Sequence, residues 1–343
     1  MRPLPRRQLT ALLGGAAALA ADPPGHHGPG VFRNPPGSPA RGGSPAEWRR
    51  FLWRQVVARS DPTPPAGHVL PAREVAAAAL ALRGRDSMTW LGHSTFLIRL
   101  SGRWLITDPF LTDHASPVAP LGPRRWAPPA LRARELPPID VVLVSHNHYD
   151  HLDRPTLDLL PLAQGATLVT PLRVADYVDR GRFAQIIELD WHEQSTLGAL
   201  QVTALPAIHF SKRSLWDTNR SLWAGFLIES PQQRVLFTGD TAHGPVFAEL
   251  GAAYGPVDWA LVPIGAYAPR PLMQAAHCDP DEALAIGRAF AARRLAAMHW
   301  GSIALTEEPV MEPPERFRAA FRAQGLDPAE HAWIPPVGGT TPL

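Results

Sequence analysis

Residues 145–151 read Ser145-His146-Asn147-His148-Tyr149-Asp150-His151, directly behind the apolar run Val141-Val142-Leu143-Val144. The stretch sets three imidazoles and a carboxylate at the mouth of a β-branched strand. A strand end does not bury four such groups unless something satisfies them. A divalent metal does so, and a mixed His/Asp set suits zinc. The irregular spacing lets the side chains aim at two neighbouring points, the arrangement of a two-metal hydrolase. The plainer alternative is a polar loop that happens to be rich in histidine.

The His-x-His-x-Asp-His spacing resembles the diagnostic motif of the metallo-β-lactamase superfamily. Zinc cages in that family are completed by three later ligands, and three candidates stand in the matching order. His209 follows Leu205-Pro206-Ala207-Ile208, behind the strand-like Leu200-Gln201-Val202-Thr203. Asp240 ends Val235-Leu236-Phe237-Thr238-Gly239-Asp240, where glycine lets the backbone approach a ligand closely. His299 ends Leu295-Ala296-Ala297-Met298-His299 and precedes Trp300-Gly301. Each alone is weak, since a strand-terminal histidine is more often hydrogen-bonded structure than a ligand; the order of the three carries the argument.

The chain has 343 residues, 45% of them hydrophobic, enough for one large layered domain with extensions or for two smaller ones. A formal net charge of +2 and short, scattered arginine pairs such as Arg124-Arg125 give no nucleic-acid stripe. Lys212 is the only lysine, a bias that reads as base composition rather than function. The single cysteine, Cys278, excludes an internal disulfide framework. Arg2, Arg6 and Arg7 precede an apolar run from Leu9 to Ala21, with Ala18-Leu19-Ala20 as a small-x-small cleavage site. That is the grammar of an export signal over residues 1–20, with a twin-arginine flavour at Arg6-Arg7, and it predicts a periplasmic protein. The alternative is an apolar helix of a cytoplasmic protein. The run is too short to span a membrane.

Residues 21–85 form a Pro/Gly-rich extension, broken by turns such as Pro35-Pro36-Gly37, with one short helix expected over Trp48–Ala58. Residues 86–343 alternate apolar runs with helical stretches, and no internal repeat is visible in the sequence. Eleven strands are expected, from Met88–Leu91 to Leu295–Met298. Helices are expected over Thr156–Leu162, Val174–Arg180, Pro245–Gly251, Pro280–Ala292 and Glu312–Ala323. Strands that dominate early and then mix with helices suit an α+β fold, a four-layer αββα sandwich. Metal ligands on loops at strand ends fit a rigid scaffold carrying a site.

Longer stretches narrow the resemblance. Trp90-Leu91-Gly92-His93-Ser94, Thr107-Asp108-Pro109, Gly239-Asp240-Thr241, Tyr267-Ala268-Pro269-Arg270, His277-Cys278-Asp279-Pro280 and His299-Trp300-Gly301 occur in that order. Across roughly residues 88–320 the chain resembles the N-acylphosphatidylethanolamine-hydrolysing phospholipase D branch and its bacterial relatives. The resemblance implies two Zn2+ ions. His146, His148 and His209 would hold one; Asp150, His151 and His299 would hold the other; Asp240 would bridge them. A hydroxide between the ions would be the nucleophile, with Asp150, Asp240 and His277 as the catalytic residues. Asp108 would orient a ligand imidazole from behind or, alternatively, merely start an Asp-Pro turn. His93 would also stand behind the ligands. His277, Tyr267 and Arg270 would contact substrate, and Trp216, Trp223 and Trp300 are candidates for the pocket wall. Ala242-His243 departs from the Gly-aromatic pair expected after Asp240-Thr241 and alters the rim.

The implied substrate is a phospholipid or other phosphodiester, with peripheral membrane contact and neither a transmembrane segment nor a nucleic-acid partner. A dizinc lactonase or other ester hydrolase of the same fold is the alternative. Arg270 or Arg125 beside the metals favours the phosphodiester; an apolar pocket without such an arginine favours the ester. A non-enzymatic metal-loaded protein is a third class, and retention of all seven ligand residues counts against it. The sequence leaves the acyl chain, the head group and the oligomeric state open.

Overall fold

The computed structural model describes residues 25–54 and 62–343. The expected export signal at 1–20 lies outside the described residues. A short amino-terminal hairpin pairs β1 (His27–Gly28) with β2 (Val31–Phe32). Two seven-stranded sheets then form the body. The first contains β3 (Ser87–Gly92), β4 (Thr95–Leu100), β5 (Arg103–Thr107), β6 (Ile139–Leu143), β7 (Leu162–Pro171) and β8 (Gln185–Leu189). The second contains β9 (Gln194–Leu197), β10 (Leu200–Pro206), β11 (Ala224–Glu229), β12 (Arg234–Phe237), β13 (Trp259–Pro263), β14 (Arg294–Met298) and β15 (Ala332–Trp333). The terminal β16 (Thr340–Pro342) crosses back to pair with β3.

The two sheets repeat one pairing pattern. From β16 through β5 the neighbours are antiparallel, and from β5 through β8 they are parallel. From β9 through β12 they are antiparallel, and from β12 through β15 parallel. The repeat therefore lies in the topology and leaves no mark in the sequence. β3 and β13 are buried along their whole length, as strands covered on both faces must be. A single hydrophobic core runs through both sheets, filled by Trp90, Phe96, Trp223, Phe226, Phe237 and Trp259. The helices are α1 (Pro45–Trp53), α2 (Ala72–Ala81), α3 (Arg154–Leu159), α4 (Val246–Tyr254), α5 (Arg270–Met273), α6 (Pro280–Ala289), α7 (Glu312–Ala323) and α8 (Pro328–His331). α6 packs on β13 between α4 and α7, and α2 packs beside β16. This is the four-layer αββα sandwich. Among the described residues no helix is long and apolar enough to cross a membrane.

Several boundaries differ from the sequence reading, each for a local reason. α3 stops at Leu159 because Leu160 precedes Pro161, and a residue before proline is pushed out of the helical region. The helix expected over Val174–Arg180 is replaced by 3₁₀ turns at Val174–Tyr177 and Arg180–Arg182. There the Asp179 carboxylate accepts from the Gly181 amide at 3.0 Å, offering the backbone a turn instead of a helix. α1 starts earlier than expected, at Pro45. Ser44 and Glu47 form a capping box there, in which Glu47 accepts from the Ser44 amide at 2.7 Å. Residues 55–58 of the expected helix lie outside the described residues. The alanine-rich α2 sits in the supposedly irregular extension, following alanine's helix propensity. Its Val75 enters the main core, and Leu70 donates its amide to Val337 at 2.9 Å. The boundary drawn at 85/86 therefore does not mark the edge of the core.

Candidate metal centre and active site

Parallel strands point their carboxyl ends the same way, and open α/β sheets place their ligands there. In the first sheet β5 delivers Asp108, and β6 delivers the 145–151 loop. In the second, β12 delivers Asp240 and β14 delivers His299, while the antiparallel β10 delivers His209. The structure brings all seven expected ligand residues to one buried cluster. His146, His148 and His209 form one group whose ligand atoms lie within 4.8 Å of one another, and Asp150, His151 and His299, with His93, form a second. Asp240 stands between them. Its Oδ2 lies 3.1 Å from His151 Nε2, 3.0 Å from His299 Nε2 and 3.9 Å from His209 Nε2.

The donor atoms are arranged for a cation rather than for each other. His151 Nε2, His299 Nε2 and Asp240 Oδ1 are buried without a hydrogen-bond partner. The close approaches of Asp240 Oδ2 to the two imidazoles lack hydrogen-bond angles, as expected of lone pairs aimed at a shared point. Tautomers follow from the opposite ring nitrogens. His209 Nδ1 donates to the Ala276 carbonyl at 2.9 Å, so its Nε2 carries a lone pair. Ser145 Oγ donates to Asp108 Oδ2 at 2.6 Å and must therefore accept from His146 Nδ1 at 2.8 Å, leaving His146 Nε2 bare as well. His146 Nε2 and His209 Nε2 both face His148 Nδ1, at 2.8 and 3.2 Å. A proton on His148 Nδ1 serves only one of these contacts and leaves the other acceptor nitrogen without a donor; without that proton, three lone pairs converge. A bound divalent ion removes that repulsion, and the set of imidazoles and carboxylates fits zinc-class chemistry.

Electrostatics point the same way. Burial pushes the imidazoles of His93 and His148 down to about 3 and that of His209 down to about 4. His146 and His277 are likewise held well below the usual range, chiefly by burial. His151 is the exception. Burial works against its charge, but Asp240 and Asp150 outweigh that and hold it well above the usual range. Burial alone would raise Asp240, yet His151 and His299 keep it ionised. Five imidazoles are thus held neutral beside two ionised carboxylates, the protonation state in which both kinds of group can donate lone pairs to a cation.

Asp108 is at the hub of the support. It accepts from His151 Nδ1 at 2.7 Å, and from the Ser145 amide and hydroxyl at 2.6 Å each. One carboxylate thus orients His151 directly and His146 through Ser145, the usual work of a residue behind a metal ligand. His93 Nε2 lies 3.1 Å from Asp150 Oδ2. Asp108 (φ 34°), His93 (φ 55°) and His299 (φ 60°) all adopt left-handed backbone. Such conformations cost about 1–3 kcal/mol each and persist where surroundings enforce them. Here Asp108 donates its amide to Leu143 at 2.8 Å, His299 to His93 at 3.0 Å, and His93 to Ser302 Oγ at 2.6 Å. Gly239 is required beside Asp240, since a Cβ there would stand 2.8 Å from Ser145 Cβ. Gly265 is required beside His299, where a Cβ would meet the His299 carbonyl at 2.2 Å.

A cavity of about 440 Å³ adjoins the cluster and shares His209 and His277 with it. Phe210, Leu272, Met273 and Leu305 give it apolar walls, and the extension closes it with Asn34, Arg41, Trp48 and Phe51. His277 Nδ1 is buried, unpartnered and 3.9 Å from Asp240 Oδ2. Two expected substrate contacts are placed elsewhere. Arg270 donates from Nη2 to both Glu282 carboxylate oxygens at 2.7 and 2.6 Å and from Nη1 to the His277 carbonyl at 2.7 Å, so it braces the His277 segment and its terminal nitrogens are committed to the protein. Tyr267 donates its hydroxyl to Glu312 at 2.5 Å and does not line the cavity. Arg125 is committed too, to the carbonyls of Phe110, Thr112 and Ala127. Trp216 is 80% exposed, Trp223 is buried in the core, and Trp300 stacks on Trp90; none of the three lines the cavity. His243 stacks on Phe247, away from the cluster.

Sequence reasoning missed three supporting residues. Asn34 Oδ1 accepts from the His209 amide at 2.9 Å and from Trp223 Nε1 at 3.0 Å. His68 Nε2 pairs with the Gly301 carbonyl at 2.6 Å, bracing the turn after His299. Arg41 lies over the Trp48 ring at 4.3 Å and is the cation on the cavity wall. The turn at Pro35-Pro36-Gly37 and the helix expected from Trp48 are visible in the sequence, but neither implies contact with His209 or its cavity.

Two outcomes follow from this geometry. Asp108→Asn should weaken metal affinity by about 10–100-fold, measured against a competing chelator, because two ligand imidazoles lose their orientation; unchanged affinity would leave Asp108 as a turn starter. Protein stripped of metal should lose stability as pH falls. The unfolded chain binds protons on these histidines near pH 6.5, whereas the folded one resists down to about pH 3 or 4. His151 has the opposite sign but stands against five lowered imidazoles. Melting temperatures of chelated protein should therefore drop between pH 7.5 and 4.5; a flat profile would contradict the burial assigned to the cluster.

The sequence profile of the beta-lactamase superfamily domain matches residues 103–300, an interval that contains all seven clustered residues. An uncharacterized protein of Mycobacterium tuberculosis is 36% identical over 285 residues, covering 80% of this chain and 73% of its own. The N-acyl-phosphatidylethanolamine-hydrolyzing phospholipase D 1 of Caenorhabditis elegans is 36% identical over 248 residues, covering 69% of this chain and 70% of that one. A metallo hydrolase structure from the archaeon Ignicoccus hospitalis aligns with a TM-score of 0.55 at 21% identity, covering 75% of this chain and 98% of that one, and shares the fold. With the fold, the motif order and these matches in agreement, the chain belongs to the metallo-β-lactamase superfamily.

Proposed function

We propose that this metal-dependent hydrolase is a dizinc phosphodiesterase acting on an N-acylphosphatidylethanolamine-like phospholipid, cleaved on the head-group side to give phosphatidic acid. The observation that carries the reading is the apolar cavity that shares His209 and His277 with the metal-ligating cluster. Its volume falls in the range of small-molecule sites, and its walls suit acyl chains. The similarity to the Caenorhabditis elegans phospholipase D supports the choice of substrate. Leu52 and Trp53, 56% and 63% exposed, extend from the helix that carries Phe51, and they support peripheral contact with a lipid surface.

Two divalent ions held by His146, His148, His209, Asp150, His151, His299 and Asp240 would supply Lewis acidity and an acidified water. The remaining work falls to the chain. Asp150 is partly open and has His93 Nε2 3.1 Å from its Oδ2, and it is the carboxylate of the cluster placed to take up the proton released by the attacking water. Asp240 keeps the two halves of the cluster in register. His277, kept neutral by burial, presents its unpartnered Nδ1 to a phosphoryl oxygen. Arg270 fixes the backbone of His277, and Arg41 offers a cation at the cavity wall for an anionic group of the substrate.

One observation favours a second reading, hydrolysis of a lactone or other carbon ester: Arg125 and Arg270 are both committed to protein partners. A matched panel separates the two. Long-chain N-acylated phospholipids should turn over faster than bis-aryl phosphodiesters. His277→Ala should lower phosphodiester turnover by about 10²–10³-fold, the effect of losing one preorganised donor, with metal content unchanged. Efficient lactone hydrolysis beside inert phosphodiesters would replace the phospholipase reading with the ester one.

A further inference from the structure

A second cluster of metal-ligating side chains lies outside the active site and shares no residue with it. His26 Nε2 is 2.7 Å from Asp190 Oδ1, and His27 Nε2 is 2.8 Å from Asp190 Oδ2. The three ligand atoms lie within 4.8 Å of one another. Consecutive side chains of an extended strand point to opposite faces. Here the turn at 25–26 instead brings both rings to one carboxylate, 4.5 Å apart and at 78° to each other. Both rings are held from behind. His26 stacks on Trp191 at 4.2 Å, and His27 meets Phe32 edge-on at 5.1 Å. The side chains are 11%, 29% and 15% exposed, in the order His26, His27 and Asp190, which leaves room for water to complete a coordination shell.

We propose that His26, His27 and Asp190 form a further divalent-cation site, of zinc class, that clips the amino-terminal arm to the sheet edge. Two imidazoles and a carboxylate with a solvent-filled position are an ordinary ligand set for zinc. Zinc bonds of about 2.0–2.1 Å at tetrahedral angles put ligand atoms about 3.3 Å apart, so the present contacts need to widen by only about half an ångström. Asp190 sits just beyond β8, where the first sheet ends and the chain turns toward β9. From the clip the arm runs through Phe32, whose amide donates to Asn219 at 2.7 Å, and through Asn34 on His209, to the cavity wall at Arg41, Trp48 and Phe51. A cation at the head of the arm thus secures a wall of the substrate pocket without entering the active site.

The test compares full-length protein equilibrated in chelator-buffered Zn2+ with His26→Ala/His27→Ala, His27→Gln and Asp190→Asn variants. Elemental analysis should find one zinc ion fewer per chain in the double variant, whatever number the active site holds. His27→Gln and Asp190→Asn should weaken the same ion by at least about 10-fold while leaving the others in place. Zn2+ should also slow proteolytic cleavage within residues 33–54 of the wild type and not of the variants. This second readout, taken on the wild type, stands even if the double variant fails to fold. Equal zinc content in wild type and variants, or proteolysis that does not respond to Zn2+ in any of them, would overturn the site and leave a hydrogen-bonded His-Asp-His clasp.

Discussion

Six imidazoles and two carboxylates cannot be buried side by side without a positive charge among them, and most of this structure is arranged around that constraint. His146, His148, His151, His209, His277 and His299 share one pocket with Asp150 and Asp240. Their opposite ring nitrogens and neighbouring backbones are tied down by Asp108, Ser145, Ala276 and Asn34. Those ties aim bare nitrogens inward instead of letting the groups pair with one another. Strained backbone at Asp108, His93 and His299 is the local cost of the aim, and the two sheets supply the rigidity that maintains it. A repeated pairing pattern brings strand ends from both sheets to the same place, and each half of the cluster takes two residues from the loop after β6 and one from the second sheet.

The substrate side is built differently. Its walls come from the 266–277 segment, from loops around Phe210 and Leu305, and from the amino-terminal arm, which belongs to neither sheet. Arginines close to the site in sequence terms turn out to be structural: Arg125 ties up carbonyls behind Phe110, and Arg270 braces His277 through Glu282. Arg41, the arginine among the described residues that line the cavity, comes from the arm. Under the proposed reading the cage rests mainly on the two sheets and much of the cavity wall on the arm, with His209 common to both.

This division also explains what the sequence made legible. The ligands announce themselves because four crowd into one motif behind an apolar run and the other three each follow an apolar stretch, where histidine and aspartate have few reasons to be. Asp108 was visible as an Asp-Pro step, but its contact with His151 depends on the parallel register of β5 and β6, which no local pattern records. The strand positions followed from β-branched and apolar runs, whereas the short edge strands β9, β15 and β16 were missed because pairing, not composition, defines them. The topological repeat escaped notice because the two sheets fill the same plan with unrelated side chains. Tyr267 and Arg270 lay in the right neighbourhood yet faced Glu312 and Glu282, since side-chain direction after a strand is set by tertiary partners. The arm's role was hidden because its contacts to His209 and Trp223 span more than 170 residues.

The central claim is that the seven clustered residues hold a pair of ions with Asp240 between them. Anomalous diffraction at the zinc edge, on crystals of the wild-type protein grown with zinc, tests it most directly. The account predicts two anomalous peaks inside the cage, one against His146, His148 and His209 and one against Asp150, His151 and His299, both adjoining Asp240. A single peak in the cage at full zinc loading would contradict it.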